Sequence, residues 1–219
     1  MNDRPESAAD GAPSAPRFSA GTLDLAERAL VLTVYLYSIV RAGPSAITDP
    51  ALGQLLVLSG NLLVVVFVVA RRRPDVISTR PWDWLIAVIG TAAPLFARPA
   101  EGPRLVPPLA AALVILAGLV LTLATKLTLR RNFSLVPARS DIVARGPYRL
   151  VRHPMYAGYV LVHLGLLAYG FVLWNLACYL ICWVFLWLRI DREEAVLSET
   201  EAYRAYREQV RYRLVWGLA

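Results

Sequence analysis

The chain has 219 residues, of which 57% are hydrophobic and only 18% are charged, and its mean hydropathy is +0.50. Soluble domains carry about 25% charged residues, so this composition excludes a large soluble domain and indicates an integral membrane protein. The net charge of +7 alone would permit nucleic-acid binding. The placement of the basic residues favours membrane topology instead, and we expect no nucleic-acid partner.

The N-terminal 20 residues are rich in Ala, Pro, Ser and Asp and contain almost nothing that a core would bury. We expect a disordered cytoplasmic tail over residues 1–20. No apolar stretch precedes a cleavage site there, so this segment is not a secretory signal.

Four apolar segments follow, and short breaks that carry Gly and Pro separate them. They span residues 23–40, 51–70, 82–97 and 105–127. A helix needs about 20 apolar residues to cross the hydrocarbon core of a bilayer. The segments therefore predict a four-helix transmembrane region over residues 21–129.

A fifth apolar region covers residues 156–188. It is too long for one crossing and too short for two full crossings with a loop, because a helix rises about 1.5 Å per residue. We therefore predict a helical hairpin that breaks near Tyr169, Gly170 and Asn175.

The basic residues predict the orientation. With the N-terminus in the cytoplasm, 20 of the 23 fall inside, and only Arg41, Arg98 and Arg104 fall outside. This asymmetry agrees with the positive-inside rule and requires the hairpin to enter and leave on the same face. Both termini and the polar regions 130–159 and 189–212 are then cytoplasmic.

Four stretches of these polar regions form a specific combination. They are RNFS at 131–134, DIVARGPYRLVRHPMYAG at 141–158, RIDREEAVL at 189–197 and YRAYR at 203–207. Together they resemble the isoprenylcysteine carboxyl methyltransferase family of integral membrane enzymes. The resemblance implies a catalytic region over residues 130–219, S-adenosylmethionine as cofactor, and a lipophilic or lipid-modified substrate that enters from the membrane lipid.

The family motifs also imply site residues. Arg189 and Glu193 correspond to catalytic positions, with Arg189 contacting the substrate, and the cofactor-binding positions are Ser140, Asp141, Ile142, Val143, Tyr148, His153, Pro154, Met155, Tyr156 and Glu193. The family commonly has a histidine where this chain has Ser140. Backbone groups can still line the cofactor there, but the ring contact is lost.

The residues before the hairpin suggest the same site on physical grounds. Pro154 favours the first turn of a helix and restricts His153 to an extended conformation. The exposed N–H groups of such a helix end attract a carboxylate. The Gly146–Pro147 turn brings Tyr148 near His153, so that aromatic rings at this end suit a sulfonium cation.

An interfacial belt is the alternative explanation of these aromatic residues. In that case the tyrosines mark the headgroup level and the neighbouring arginines snorkel. Arg189 and Glu193 are four residues apart, so they also fit a purely structural salt bridge. We expect Glu194 to pair with Arg149 or Arg152.

Other motifs are missing from the sequence. No GxGxxG follows a strand, which excludes the soluble doubly wound methyltransferase fold, and HExxH, GxSxG and P-loop motifs do not occur. With two histidines and two cysteines, we expect no metal site. Cys178 and Cys182 are predicted to be small hydrophobes on one helix face, and His163 a hydrogen-bonded bundle residue.

The predicted fold is all-α, a polytopic transmembrane bundle of four spans plus the hairpin, with a cytoplasmic cofactor pocket. An amphipathic helix over residues 193–212 is expected to cover this pocket. The predicted function is methyl transfer to a carboxylate or a lipid amine. A nicotinamide-dependent membrane reductase with similar C-terminal helices, and a non-enzymatic membrane subunit, are the alternatives. The sequence indicates no protein partner.

Overall fold

The computed structural model describes residues 19–48, 52–70, 76–129, 138–139, 142–215 and 217. These residues are all-α apart from one two-residue antiparallel pairing, of β1 (Val76–Ile77) with β2 (Ala138–Arg139). The helices are α1 (Ala20–Thr48), α2 (Leu52–Ala70), α3 (Pro81–Ala92), α4 (Pro108–Leu129), α5 (Pro154–Tyr169), α6 (Leu173–Leu197) and α7 (Glu201–Gln209). Residues 1–18 of the predicted N-terminal tail lie outside the described residues.

The predicted apolar segments fall on α1 to α4, and a 3-10 helix, Ala93–Phe96, extends α3. Pro94 contributes to this change because proline cannot donate the hydrogen bond that continues an α-helix. In the described part of the chain, α4 and α6 are long and apolar enough to cross a membrane. The count of four spans and the orientation of the termini stay predictions.

The helical hairpin is confirmed. α5 ends at Tyr169, α6 begins at Leu173, and Gly170 lies between them. Asn175 lies in the first turn of α6 rather than in the break. Its side chain accepts a hydrogen bond from the Arg98 N–H (2.8 Å) and donates one to the Arg98 carbonyl (3.0 Å), so the loop before α4 docks on the hairpin turn.

α4 and α5 pack closely and antiparallel because glycines face each other across the contact. A Cβ atom on Gly118 would come 2.7 Å from the Gly158 carbonyl oxygen, and one on Gly165 would come 2.6 Å from Ile115. Small residues allow such close approach of helices in membranes. This packing brings the last turn of α4 beside the start of α5.

The two cysteines are both buried on α6 and free, as expected of small hydrophobes. The Cys182 thiol donates to the Gly90 carbonyl of α3 (3.1 Å), at a point where α3 and α6 are in contact. Near the start of α3, Asp83 lies 3.8 Å from the Arg192 guanidinium. The start of α3 is therefore at the same end of the molecule as the polar end of α6.

The prediction of one continuous helix over residues 193–212 is wrong. α6 ends at Leu197, and α7 begins at Glu201 after Thr200, whose hydroxyl accepts the Tyr203 N–H (3.3 Å) as an N-cap. This cap starts a new helix after a turn. The C-terminal segment is nevertheless amphipathic, since Tyr203, Tyr206 and Val210 are buried and Arg204, Arg207 and Arg211 are exposed.

Candidate functional site

The start of α5 follows the predicted pattern, with Pro154 at the first helical position. His153 has φ −125° and ψ 57°, however, so its backbone is not extended. The reason is a pairing with the C-terminal segment, in which the N–H groups of Arg152 and His153 donate to the carbonyls of Tyr212 and Arg213 (both 2.8 Å). The helix end that we expected to be open is therefore flanked by the C-terminal segment.

Glu194 is buried at the centre of a charged cluster. One oxygen accepts from the Arg152 Nε (2.8 Å) and lies 3.1 Å from the His153 Nε2, and the other accepts from an Arg213 nitrogen (3.0 Å). The predicted pairing with Arg152 is confirmed, whereas Arg149 is exposed. Glu194 thus ties α6 to the start of α5 and to the C-terminal segment.

Glu193 has a different environment. Its side chain is 19% exposed, and its Oε1 accepts from the Tyr156 hydroxyl (2.6 Å) and the Arg189 Nε (3.1 Å). Its Oε2 lies 3.7 Å from the His153 Nδ1. The structure therefore brings His153, Tyr156, Arg189 and Glu193 together around one partly exposed carboxylate.

Aromatic rings extend from this carboxylate along α5. The His153 ring is stacked with the Tyr156 ring at 5.7 Å, and the Tyr156 and Tyr159 centroids are 6.3 Å apart. A cation lies over each tyrosine, since the Arg189 guanidinium is 5.3 Å from the Tyr156 centroid and the Lys126 ammonium is 5.6 Å from that of Tyr159. We call these three rings with their two cations the aromatic row.

Lys126 is a residue that the sequence reasoning did not select. It is only 4% exposed, and it makes no hydrogen bond or ion pair with any residue that the structure describes. A charged side chain inside an apolar segment is itself a signal of function, and that signal was available in the sequence. Its position beside Tyr159 depends on the packing of α4 against α5, which the sequence did not indicate.

α1 closes the same region from another side. Glu27 is fully buried and interacts electrostatically with Arg189. Tyr35, two turns further along α1, lies near Arg189 and Tyr159. Neither residue was selected from the sequence, although a buried acidic residue in an apolar segment carries the same signal as Lys126.

Tyr148 lies in a 3-10 helix, Gly146–Arg149, that begins with Gly146 at φ +58°. Its carbonyl accepts the Tyr206 hydroxyl of α7 (2.8 Å). Burial, with the nearby Glu193 carboxylate as the next cause, raises the pKa of Tyr148, and burial raises the pKa of Tyr206 to about 12. Both phenols are therefore neutral hydrogen-bonding groups at physiological pH.

The other predicted cofactor residues divide into three groups. Met155 is buried in the first turn of α5. Ile142 packs against the buried face of α7, and Val143 is half-buried. Ser140 and Asp141 lie outside the described residues.

His163 is the bundle histidine that we expected. The Trp183 Nε1–H donates to its Nδ1 (3.1 Å), and its ring is stacked on Tyr179 at 4.3 Å. Because α5 separates it from His153 by nearly three turns, it takes no part in the site around Glu193.

Part of the chain is similar to one family of known proteins. Residues 107–204 match the family model of phospholipid methyltransferase. This family is in the same group of integral membrane methyltransferases as the one that the motifs resemble, and the match does not extend to isoprenylcysteine specificity. No curated protein matches the chain.

The phospholipid methyltransferase match covers less than half of the chain, from just before α4 into α7. It includes the α4–α5 contact, the hairpin and both glutamates. It supports a membrane methyltransferase and leaves the acceptor open.

Proposed function

We propose that the protein transfers a methyl group from S-adenosylmethionine to a lipophilic acceptor that carries a negatively charged group. The observation that supports this most is the partly exposed Glu193 carboxylate, which Tyr156 and Arg189 hold at one end of the aromatic row. It lies within the segment that matches phospholipid methyltransferases.

The side chains around Glu193 fit this cofactor. S-adenosylmethionine carries a sulfonium cation and an ammonium group, and both favour aromatic faces and carboxylates. His153 and Tyr156 supply stacked rings, and Glu193 supplies a carboxylate that is still 19% exposed. We infer that these three residues, together with Tyr148, hold the cofactor, which supplies the methyl group when it is bound.

The acceptor is assigned to the other end of the aromatic row. Lys126 is a buried cation without an anionic partner among the described residues, and Arg189, which also bonds Glu193, lies over the neighbouring ring of Tyr156. A buried cation is costly unless an anion accompanies it. A carboxylate or phosphate of the acceptor is suited to this role, with its lipophilic part lying between the helices.

Two acceptor chemistries remain, and the chain's residues serve them differently. A carboxylate, as in isoprenylcysteine, is already nucleophilic and needs no base. A lipid amine must first lose a proton, which the Glu193 Oε2 or a water molecule beside it would accept. In both cases the residues act mainly by orienting the nucleophile within about 3.5 Å of the methyl carbon and by excluding water.

The experiment is a methyl-transfer assay with detergent-purified protein. S-adenosylmethionine labelled in its methyl group is supplied with either a membrane lipid extract or a prenylated cysteine. We expect label in the organic phase, and its release as methanol in alkali identifies an ester, whereas an N-methyl group is retained. Arg189→Ala should lower turnover about tenfold or more because it removes a charged contact to the acceptor.

Lys126→Met should raise the KM for the acceptor more than it changes the KM for the cofactor. Arg204→Ala, which removes an exposed arginine of α7, is the matched control and should transfer at the rate of the unmodified protein. Equal transfer by the unmodified protein and by a folded His153→Ala, Glu193→Gln double variant would contradict the proposal.

A further inference from the structure

A second polar site lies at the surface where α6, α7 and the C-terminal segment meet. It is a cleft of about 360 Å³ lined by Arg152, Trp187, Arg207, Arg211 and Arg213. Four of these five residues are arginines, so we call it the arginine cleft.

Two of the arginines are already engaged. Arg152 is buried, and its guanidinium donates to Glu194 and to the Val210 carbonyl (both 2.8 Å). Arg213 bonds Glu194 (3.0 Å) and Asp191 (2.9 Å). These contacts fix the walls of the cleft and hold two guanidinium groups in place.

Arg207 and Arg211 are the other two arginines. Both are exposed, and neither makes a side-chain hydrogen bond or an ion pair with the part of the chain that the structure describes. Four guanidinium groups therefore face two carboxylates, those of Asp191 and Glu194, which leaves an excess positive charge. Such a cleft favours an anion with several acceptor oxygens, and guanidinium groups match phosphate in a bidentate manner.

Trp187 indicates that this anion belongs to a membrane lipid. It is 46% exposed on α6, two residues before Arg189, where the apolar stretch of the helix ends. Tryptophan at this position is typical of the membrane interface. The Arg213 guanidinium lies 5.4 Å from the centroid of the Trp187 ring. The charged wall of the cleft therefore lies directly beside its apolar wall.

We propose that the arginine cleft binds the phosphate of an anionic phospholipid, with Trp187 beside its glycerol and acyl part. A bound headgroup would hold α7 and residues 210–213 against α6. The same C-terminal segment accepts the backbone N–H groups of Arg152 and His153. Binding of the lipid therefore stabilises the surroundings of Glu194 without entering the site around Glu193.

The test is thermal unfolding of the full chain in a neutral detergent, with phosphatidylglycerol, phosphatidylcholine or inorganic phosphate added. We expect a saturable rise in Tm with phosphatidylglycerol that the other two do not reproduce. Arg207→Gln with Arg211→Gln should weaken the apparent affinity for phosphatidylglycerol about 10- to 30-fold. The matched control is Arg149→Gln with Arg204→Gln, which removes two exposed arginines outside the cleft and should keep the full response.

Three outcomes would overturn the proposal. The first is an undiminished response in the Arg207→Gln, Arg211→Gln variant. The second is an equal response to inorganic phosphate, which would make the cleft a general anion site. The third is weakened binding of S-adenosylmethionine by that variant in lipid-free detergent, which would make the cleft part of the cofactor site.

Discussion

At the scale of single residues, Glu193 and Glu194 are neighbours in the sequence with different partners. Successive side chains of an α-helix project about 100° apart, so one carboxylate faces Tyr156 and Arg189 and the other faces Arg152 and Arg213. Glu194 is 5% exposed at the side chain and neutralises the buried Arg152, whereas Glu193 is 19% exposed. We therefore assign Glu194 a structural role and Glu193 a role in ligand binding.

This assignment predicts unequal losses of stability from two conservative substitutions. Glu194→Gln should lower the free energy of unfolding by about 3 kcal/mol because it leaves the buried Arg152 without a counter-charge. Glu193→Gln should lower it by less than about 1 kcal/mol, because this carboxylate is more exposed and the buried Glu27 carboxylate still lies near the Arg189 guanidinium. Denaturant titration of the detergent-solubilised variants measures both values, and equal losses would contradict the division of roles.

At the scale of elements, glycine determines how α4 and α5 meet. A Cβ atom on Gly158 would collide with the Thr122 hydroxyl and come 2.8 Å from the Gly118 carbonyl oxygen. The close approach that these glycines permit places Lys126 over Tyr159. The acceptor end of the proposed site therefore depends on glycines in the contact between α4 and α5.

Gly158→Ala should cost about 1–3 kcal/mol of stability, because the helices must separate to accommodate the methyl group. Gly21→Ala is the control, since among the described residues a Cβ atom there would have only the Ser19 hydroxyl oxygen within 4 Å, at 3.8 Å. That change should stay within about 0.5 kcal/mol. A Gly158→Ala variant as stable as Gly21→Ala would show that the α4–α5 contact is looser than the structure has it.

The sequence predicted the elements better than their contacts. Proline at position 154 and glycine at position 170 define the start and end of α5 because each acts on its own backbone. Thr200 was missed as a helix start, although a threonine followed by Glu201 is a recognisable N-terminal signal. The aromatic row could not be predicted, because Lys126 and Tyr159 come from different helices and meet only through packing.

At the scale of the whole molecule, the two ends differ in character. Arg98, near one end, bonds Asn175 close to the hairpin turn. At the other end, Asp83 near the start of α3 lies 3.8 Å from Arg192. The start of α5 and the glutamates of α6 lie at this end as well. The positive-inside rule predicts that the end with the candidate site faces the cytoplasm.

Cysteine labelling in intact cells checks this orientation. Glu101→Cys should react with a membrane-impermeant maleimide, and Thr79→Cys should react only after the cells are opened, because the two exposed positions lie at opposite ends of the molecule. The native Cys178 and Cys182 are buried and serve as the unlabelled background. Labelling of Thr79→Cys in intact cells would show that the predicted topology is reversed and that the site lies on the outer face.

The central claim is that His153, Tyr156 and Glu193 hold S-adenosylmethionine, and calorimetric titration of the purified protein tests it most directly. We predict binding of S-adenosylmethionine but not of NADPH. Glu193→Gln should weaken it by about 5- to 150-fold, as expected for the loss of a charge-assisted hydrogen bond, while Glu208→Gln, the same change at an exposed position of α7, should bind normally. Unchanged affinity in a folded Glu193→Gln variant, or binding of NADPH in place of S-adenosylmethionine, would contradict the account.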